Sequence, residues 1–504
     1  MAFIFFIQED NFMSLINVTN LTFAYEGSYD NIFENVNFQI DTDWKLGFTG
    51  RNGRGKTTFL SLLLGKYEYS GNISAHVTFE YFPFQVGNKE LNTIDVISEI
   101  FPDYIHWKLM RELSLLKVSE DVLYRPFDSL SNGEQTKVLL ATLFIKENSF
   151  LLIDEPTNHL DMTARKLVSD YLNTKSGYIL VSHDRSFLDN CVDHILSINK
   201  TNIEIQKGNF SSWWENKVRQ DNFELAEDEK LRRDIKRLSA SSKRTGNWSH
   251  EVEKTKNGTR NSGSKVDKGY IGHKAAKMMK RSKAIEQRQN SAINEKSKLL
   301  KNIENSENLE ITQLEYHKRQ LADLDNISIF YGEKKVCSDV SFAIEQGERI
   351  ALSGKNGSGK SSIIKLICGE DIDYKGTLTK DSQLIISYVS QDTSNLQGNL
   401  TDYARDNGID ESLFKSILRK LDFSRIQFDK DISTYSGGQK KKVLIAKSLS
   451  EKAHLYIWDE PLNFIDVISR MQIEELLLEY TPTLVFVEHD REFCNNVATK
   501  IVEL

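Results

Sequence analysis

Cysteine is nearly absent from this chain: four residues among 504, Cys191, Cys337, Cys368 and Cys494, far apart and forming no CxxC pair. That excludes a disulfide framework and a cysteine zinc site, and it points to reduced, buried thiols in a cytoplasmic protein. Long apolar runs are missing too. A membrane helix needs ~18 consecutive apolar residues, and the opening stretch from Ala2 to Ile7 offers only about six, without a basic leader or a small-residue cleavage site. The chain is expected to be neither exported nor membrane-spanning. Proline is scarce as well, with six residues and none from Thr157 to Glu460, so long uninterrupted helices are permitted through the middle of the chain.

What is present is a long, charged sequence. At roughly 150 residues per domain, its length suggests about three folded units. The net charge of −7 hides an asymmetry: Lys230 to Arg288 holds 18 Lys and Arg against 5 Asp and Glu, which leaves about −20 elsewhere. One basic segment on an acidic protein is the charge signature of a nucleic-acid contact, or alternatively of a solvated helical face.

The chain repeats itself. Gly50-Arg51-Asn52-Gly53-Arg54-Gly55-Lys56-Thr57 recurs 304 residues later as Gly354-Lys355-Asn356-Gly357-Ser358-Gly359-Lys360-Ser361. Gln85 and Gln391, Ser131 and Ser436, Asp154 and Asp459, and His183 and His489 are shifted by 305 or 306. Near-constant spacing over separate landmarks means two copies of one domain. They are placed at 13–213 and 319–504, with 1–12 as a disordered extension and 214–318 as a connector. In the connector Trp214, Val218, Leu225, Leu231, Ile235 and Leu238 recur at helical intervals, and Met278, Ile285, Ala292 and Leu299 fall seven apart. Two helices with one apolar stripe each hide it by pairing antiparallel, and the Gly, Ser and Asn-rich stretch 239–272 supplies the turn. Arms of about 28 to 35 residues would reach on the order of 40 to 50 Å.

Each copy carries the same chemistry. GxxxxGK[ST] is a phosphate cradle: its glycines turn backbone N–H groups toward phosphates, its lysine reaches terminal oxygens, and its hydroxyl holds Mg²⁺. Lys56 with Thr57, and Lys360 with Ser361, take those roles. About 100 residues later the apolar runs Phe150 to Ile153 and Leu455 to Trp458 each end in two carboxylates. The first, Asp154 or Asp459, can hold the metal through water, and the second, Glu155 or Glu460, can polarise the attacking water.

Further residues carry a family resemblance. Leu130-Ser131-Asn132-Gly133-Glu134-Gln135 and Tyr435-Ser436-Gly437-Gly438-Gln439 resemble the LSGGQ signature of ABC-type ATPases. Asn158-His159-Leu160-Asp161 and Asn463-Phe464-Ile465-Asp466 look like D-loops, Gln85 and Gln391 like Q-loops, and His183 and His489 like switch histidines. Tyr25 and Tyr331 are placed like the aromatic residues that stack on adenine, with a core role as the alternative. The implied fold is α/β: two P-loop ABC-type ATPase domains in tandem, joined by a long α-helical hairpin linker.

In that family the two domains meet head to tail, and each ATP lies between one domain's phosphate loop and the other's signature. The resemblance therefore implies that Lys56, Asp154, Glu155 and His183 face Ser436, Gly437, Gly438 and Gln439, while Lys360, Asp459, Glu460 and His489 face Ser131, Gly133 and Glu134. It implies further ATP contacts from Tyr25, Gly50, Asn52, Gly53, Gly55, Thr57 and Thr58, and from Tyr331, Gly354, Asn356, Gly357, Gly359, Ser361 and Ser362. Mg²⁺ would be held by Thr57, Gln85 and Asp154 at one site and by Ser361, Gln391 and Asp459 at the other. Glu155, Glu460, His183 and His489 are the implied catalytic residues. Asn132 and the pair Phe464-Ile465 depart from the pattern, which makes unequal hydrolysis at the two sites plausible.

Two such domains, no membrane segment and a charged helical connector together resemble the ABC-F proteins, with the Lsa-type antibiotic-resistance group the nearest in the stretches Leu130 to Lys137, Lys207 to Trp213, Asn247 to Lys256 and Ile271 to Arg281. That resemblance implies a cytoplasmic monomer whose two ATPase domains pair within one chain, with no obligate protein subunit and no membrane. Its partners would be the 70S ribosome, at the 23S rRNA and exit site, and P-site tRNA. The linker would reposition that tRNA and dislodge lincosamides, pleuromutilins and streptogramin A. Arg237, Lys243, Arg244, Lys274, Lys277, Lys280 and Arg281 would neutralise RNA phosphates. Trp248 and Tyr270 would stack on a base or, alternatively, staple the arms together. A housekeeping translation factor of the same architecture, and the ATPase subunit of a drug exporter, are the competing readings.

Overall fold

The structure, a computed structural model, describes residues 14–26, 31–158, 160–199, 203–254, 268–299, 309–332 and 334–504. The extension expected at 1–12 lies outside them.

In the first half, strands with alternating burial form a three-stranded antiparallel sheet of β1 (Leu15–Phe23), β2 (Phe33–Asp41) and β4 (Ser70–Ser74), in the order β2-β1-β4. A second sheet holds β3 (Lys45–Thr49), β5 (Thr78–Phe82), β6 (Ser149–Asp154), β7 (Tyr178–Val181), β8 (His194–Ile198) and β9 (Ile203–Lys207), in the order β5-β6-β7-β3-β8-β9. It is parallel except for the β8–β9 pair. Its central strands are continuous apolar runs, as sheets covered on both faces require. The helix α1 (Lys56–Leu63) follows β3, α5 (Met162–Asn173) follows β6, and α6 (Arg185–Cys191) follows β7. A helical group of α2 (Thr93–Ile100), α3 (His106–Leu115) and α4 (Asn132–Phe144) interrupts the sheet between β5 and β6.

The second half repeats this plan. Its small sheet is β10 (Gln320–Tyr331), β11 (Lys334–Glu345) and β13 (Tyr374–Lys380), in the order β11-β10-β13. Its parallel sheet holds β12 (Arg349–Ser353), β14 (Ile386–Val389), β15 (Leu455–Asp459), β16 (Leu484–Val487) and β17 (Lys500–Glu503), in the order β14-β15-β16-β12-β17. The equivalent helices are α9 (Lys360–Cys368), α13 (Val467–Tyr480) and α14 (Arg491–Val497), with α10 (Leu400–Asp406), α11 (Glu411–Lys420) and α12 (Gly437–Ser450) as the helical group. All five residues of β15 are buried, so Asp459 at its end is taken out of water. In both halves the phosphate-loop strand, the strand ending in two carboxylates and the strand ending before the histidine are neighbours, so their C-terminal ends gather three motifs at one edge.

Between the halves run α7 (Phe210–Lys254) and α8 (Lys268–Leu299), 45 and 32 residues long. From Ser212 they belong to a compact unit of their own, while both ATPase halves form the other. Both ends of the stretch 239–272, expected as the turn, are helical, because α7 continues to Lys254 and α8 begins at Lys268; residues 255–267 lie outside the described residues. A single Gly246 costs an exposed helix only about 1 kcal/mol, and no proline stops it. The second ATPase half also begins earlier than residue 319. Leu309 and Ile311 are buried in its core, and Gln313 Nε2 donates to His454 O at 3.1 Å and to Thr483 Oγ1 at 2.6 Å. All four cysteines are free and at least half-buried.

Candidate active sites

Each phosphate loop ends on a glycine whose φ of 96°, at Gly55 and Gly359, lets the loop turn into the following helix. At Gly55 an added Cβ would also meet Ile32 Cγ2 at 2.6 Å. The loop encloses its own lysine. Lys56 Nζ donates to Gly50 O at 2.5 Å and Arg51 O at 3.2 Å; Lys360 Nζ donates to Gly354 O at 2.9 Å and Lys355 O at 2.8 Å. Burial lowers the pKa of both ammonium groups, so each is a poorly solvated cation inside a ring of backbone groups.

The hydroxyl after each lysine reaches the carboxylate that ends the neighbouring strand. Thr57 Oγ1 donates to Asp154 Oδ2 at 3.4 Å, and Ser361 Oγ to Asp459 Oδ1 at 3.2 Å. Burial raises Asp154 and takes Asp459 to about 6. The next residue turns back sharply: Glu155 and Glu460 have φ of 52° and 47°, and their N–H groups donate to Val181 O and Val487 O. A left-handed conformation is strained for glutamate, and here it aims each carboxyl at a histidine. His183 Nε2 lies 3.3 Å from Glu155 Oε1, and His489 Nε2 lies 3.5 Å from Glu460 Oε1.

The two glutamates then differ. Gln391 Nε2 and Asn463 Nδ2 both donate to Glu460 Oε2, at 2.9 and 2.5 Å. Burial works against Glu460, but the bonds from His489 and Gln391 hold it below the usual carboxylate range. Glu155 Oε1 accepts no hydrogen bond among the described residues. Burial and the adjacent Asp154 push it up to about 8. Burial also holds His183 well below an ordinary histidine, so the first pair is neutral where the second is charged at its carboxylate.

Each signature sits at the start of a helix and faces the other half. Ser131 caps α4 in a reciprocal box with Glu134, and Ser436 caps α12 in the same way with Gln439. The remaining N–H groups and the positive helix end make each start an anion site. A cavity of about 720 Å³ is lined from the first half by Ser131, Gly133, Glu134 and Asp161, and from the second by Asn356, Gly357, Gly359, Lys360, Ser361, Ser362, Gln391, Glu460 and His489. At the first site the halves also touch. Asn52 Nδ2 donates to Phe464 O at 2.8 Å, and a Cβ on Gly438 would fall 2.3 Å from that same oxygen. Asp466 and Lys442 of the second half act electrostatically on Lys56, and Arg54 lies 3.6 Å from Asp422.

A family model described as ABC transporter matches residues 33–158 and 337–463, together half of the chain. The chain belongs to the ABC transporter family. It therefore binds ATP and hydrolyses it. No helix among the described residues is long and apolar enough to cross a membrane. This ABC protein is 29% identical to the ATP-binding protein Uup of Buchnera aphidicola, with 97% of the chain and 80% of the relative aligned. It is 27% identical to the ribosome protection protein VmlR of Bacillus subtilis (95% and 84%) and 25% identical to ABC transporter F family member 2 of Arabidopsis thaliana (97% and 76%). The resemblance to the ABC-F branch is borne out by these relatives. A crystal structure of an archaeal ribosome recycling factor, in complex with a ribosomal stalk protein, shares the fold with a TM-score of 0.61 at 18% identity, covering 96% of this chain and 87% of that one.

The ABC protein also shows residues that motif reading missed. Gln85 is exposed, and no hydrogen bond joins it to Asp154 or Glu155 among the described residues. The Tyr81 hydroxyl donates to Asp154 Oδ2 instead, at 3.0 Å. Asn463, singled out only as part of a D-loop, binds Glu460 directly. Tyr25 and Tyr331 approach the phosphate-loop helices: the Tyr25 hydroxyl lies 2.8 Å from Thr58 Oγ1, and that of Tyr331 lies 3.3 Å from Ser362 Oγ. Phe23 and Tyr67 brace Tyr25 edge-on.

Proposed function

We propose that this chain is an ABC-F ATPase whose ATP-bound form enters the exit site of the 70S ribosome, contacts 23S rRNA and P-site tRNA through the α7–α8 linker, and dislodges lincosamides, pleuromutilins and streptogramin A from the peptidyl transferase centre. The observation that carries this reading is the 27% identity, over 95% of the chain, to a protein named for ribosome protection. The linker chemistry supports it. Arg237, Arg244, Lys274, Lys277, Lys280 and Arg281 are exposed, and would neutralise RNA phosphates with a steep salt dependence. Tyr270 is 66% exposed and would stack on a base. Lys243 and Trp248 are assigned to the same contact, although their side chains lie outside the described set.

At each site ATP would lie between a phosphate loop and the opposite signature. Lys56 or Lys360 would exchange its loop carbonyls for phosphate oxygens, and the signature helix start would draw the γ-phosphate across the interface. Mg²⁺ would neutralise phosphate charge, held by the oxygen donors Thr57 and Asp154 or Ser361 and Asp459, a set that suits a hard cation. Glu460 would take the proton of the attacking water, with His489 beside it holding the carboxylate in place. Glu155 and His183 would do the same at the first site once Glu155 is ionised.

The test is the paired change Glu155→Gln and Glu460→Gln. ATP binding is retained, turnover falls by on the order of 10² to 10⁴, and the protein co-sediments with 70S particles when ATP is present. A double variant that stays in the supernatant refutes ribosome engagement. In a susceptible strain the unmodified chain raises tolerance to the three drug classes and the double variant does not. Ribosome binding with unchanged drug tolerance would select the housekeeping reading instead.

A further inference from the structure

Beyond the second site the interface between the halves stays open. His489, which faces Glu460, also lines a cavity of about 410 Å³ between α5, α6 and the start of α14. Arg165, Lys166, Ser169, Ser186 and Arg491 are among its walls. A second space of about 480 Å³ shares Asp161, Lys360 and His489 with the ATP cavity, and shares Thr163 and His489 with the first space. Shared walls align the three spaces from Lys360, past His489, to the exposed residues Thr163, Lys166 and Arg491.

The equivalent place beside the first site is filled. The repeat maps Arg491 onto Arg185, Ser169 onto Glu474, Ser186 onto Glu492 and Asn190 onto Asn496. There Arg185 pairs with Glu474, and at 3.6 Å with Glu492, while Asn496 Nδ2 donates to Glu474 Oε1 at 2.7 Å. The Arg185 and Glu474 side chains are only 8% and 9% exposed, so this ion pair is a plug. On the open side both carboxylates are serines.

We propose that the open path is the exit for inorganic phosphate formed at the second site, and that Glu474 and Glu492 close the matching exit at the first. The proposal rests on Glu460 and His489 being the hydrolytic pair. In hydrolysis the water oxygen bonds the γ-phosphorus, the bond from that phosphorus to the bridging oxygen breaks, ADP keeps the bridging oxygen, and the water proton passes to Glu460. The phosphate then stands between ADP and the opposing signature helix, in the cavity that shares Asp161, Lys360 and His489 with this path. A multiply charged anion moves toward cations and away from carboxylates. Arg491 and Lys166 supply the cations. Acids line the path too: Asp161, Glu488 and Glu503 in the 480 Å³ space, which Lys355 and Lys360 also line, and Asp170 and Asp184 in the 410 Å³ space, where Arg165 pairs with Asp184 at 2.9 Å.

The experiment uses full-length protein carrying Glu155→Gln, so that only the second site turns over. Quenched flow measures ATP cleaved, and a fluorescent phosphate-binding protein in stopped flow measures phosphate set free. Ser169→Glu and, separately, Ser186→Glu place a carboxylate beside Arg491. Each leaves the cleavage burst intact and slows free phosphate by roughly tenfold, as one like charge at close range in a partly buried path does. Ser169→Gln, of equal size without charge, slows it far less. Free phosphate that keeps pace with cleavage in both glutamate variants overturns the exit. A burst missing before any change at Ser169 or Ser186 overturns the assignment of Glu460, and the exit with it.

Discussion

An alanine at Gly438 would place its methyl carbon 2.3 Å from Phe464 O and 2.9 Å from Asn52 Nδ2. That oxygen belongs to the same half as Gly438, and it also accepts the Asn52 hydrogen bond across the interface, so a shift of Phe464 away from the methyl withdraws the acceptor from Asn52. The overpacking itself, ~1 to 3 kcal/mol, lies within the second half and is present open or closed. What bears on closure is the lost hydrogen bond, about 1 kcal/mol, a factor of roughly 5 in the closed population. At the equivalent residue of the other signature, Gly133, the nearest neighbour among the described residues would be Leu160 Cδ2 at 3.5 Å, and His159, which matches Phe464, lies outside them. Labels on the two halves would report ATP-driven closure by energy transfer, and phosphate release would report turnover. Gly438→Ala lowers both by roughly fivefold. Closure and turnover unchanged in that variant would refute the part played by the Asn52–Phe464 bond in holding the halves together.

With Glu460→Gln only Glu155 can serve as base. At a pKa of about 8 it is roughly a tenth ionised at pH 7, so ATPase activity rises about tenfold from pH 7 to 9. With Glu155→Gln the depressed Glu460 is already ionised, and the profile is flat over that range; a shared profile would contradict the inequality. Tyr81→Phe removes the hydroxyl held on Asp154 and weakens Mg²⁺ activation at the first site by ~10-fold, while Tyr388→Phe leaves the second unchanged, read from Mg²⁺ titrations in the single-Gln backgrounds. Asp466→Asn strands the buried Lys442 ammonium, whose partner oxygen lies 2.8 Å away, and lowers stability by ~3 to 5 kcal/mol in denaturant unfolding. Because the Lys442 charge holds folded Asp466 far below its unfolded value, the unmodified protein has this stabilisation in full above about pH 5 and loses it on acidification; a variant that unfolds like the parent at pH 7 refutes it.

The phosphate loops, paired carboxylates and signatures are legible in the sequence because each is a contiguous run whose backbone makes the site. What depends on register was hidden. Tyr81 pairs with Leu152 and Tyr388 with Ile457, which are equivalent strand positions, yet Phe82-Pro83-Phe84 separates Tyr81 from Gln85 where only Val389-Ser390 separates Tyr388 from Gln391. That one extra residue accompanies the different engagement of the two glutamines, and it is invisible until strands are paired. The strap of Leu309 and Ile311 was missed because two apolar residues in a polar stretch make no periodic pattern. Arg185 and Glu474 lie 289 positions apart, and neither belongs to a motif.

The repeat therefore misleads if it is read as equivalence. Backbone geometry is shared: the same order of five parallel strands, the same left-handed glutamates, the same capped signature helices. The side chains around it diverge in one direction. The first site leaves Glu155 without a hydrogen-bond donor on Oε1 among the described residues, and has an ion pair behind it. The second has a carboxylate held ionised by His489 and Gln391, and an open passage behind it. Tight closure needs few groups that must move, whereas rapid turnover needs an ionised base and an outlet. A single chain can supply both only if its two copies stop being alike, and these exchanges lie next to the backbone frame the copies share without altering it.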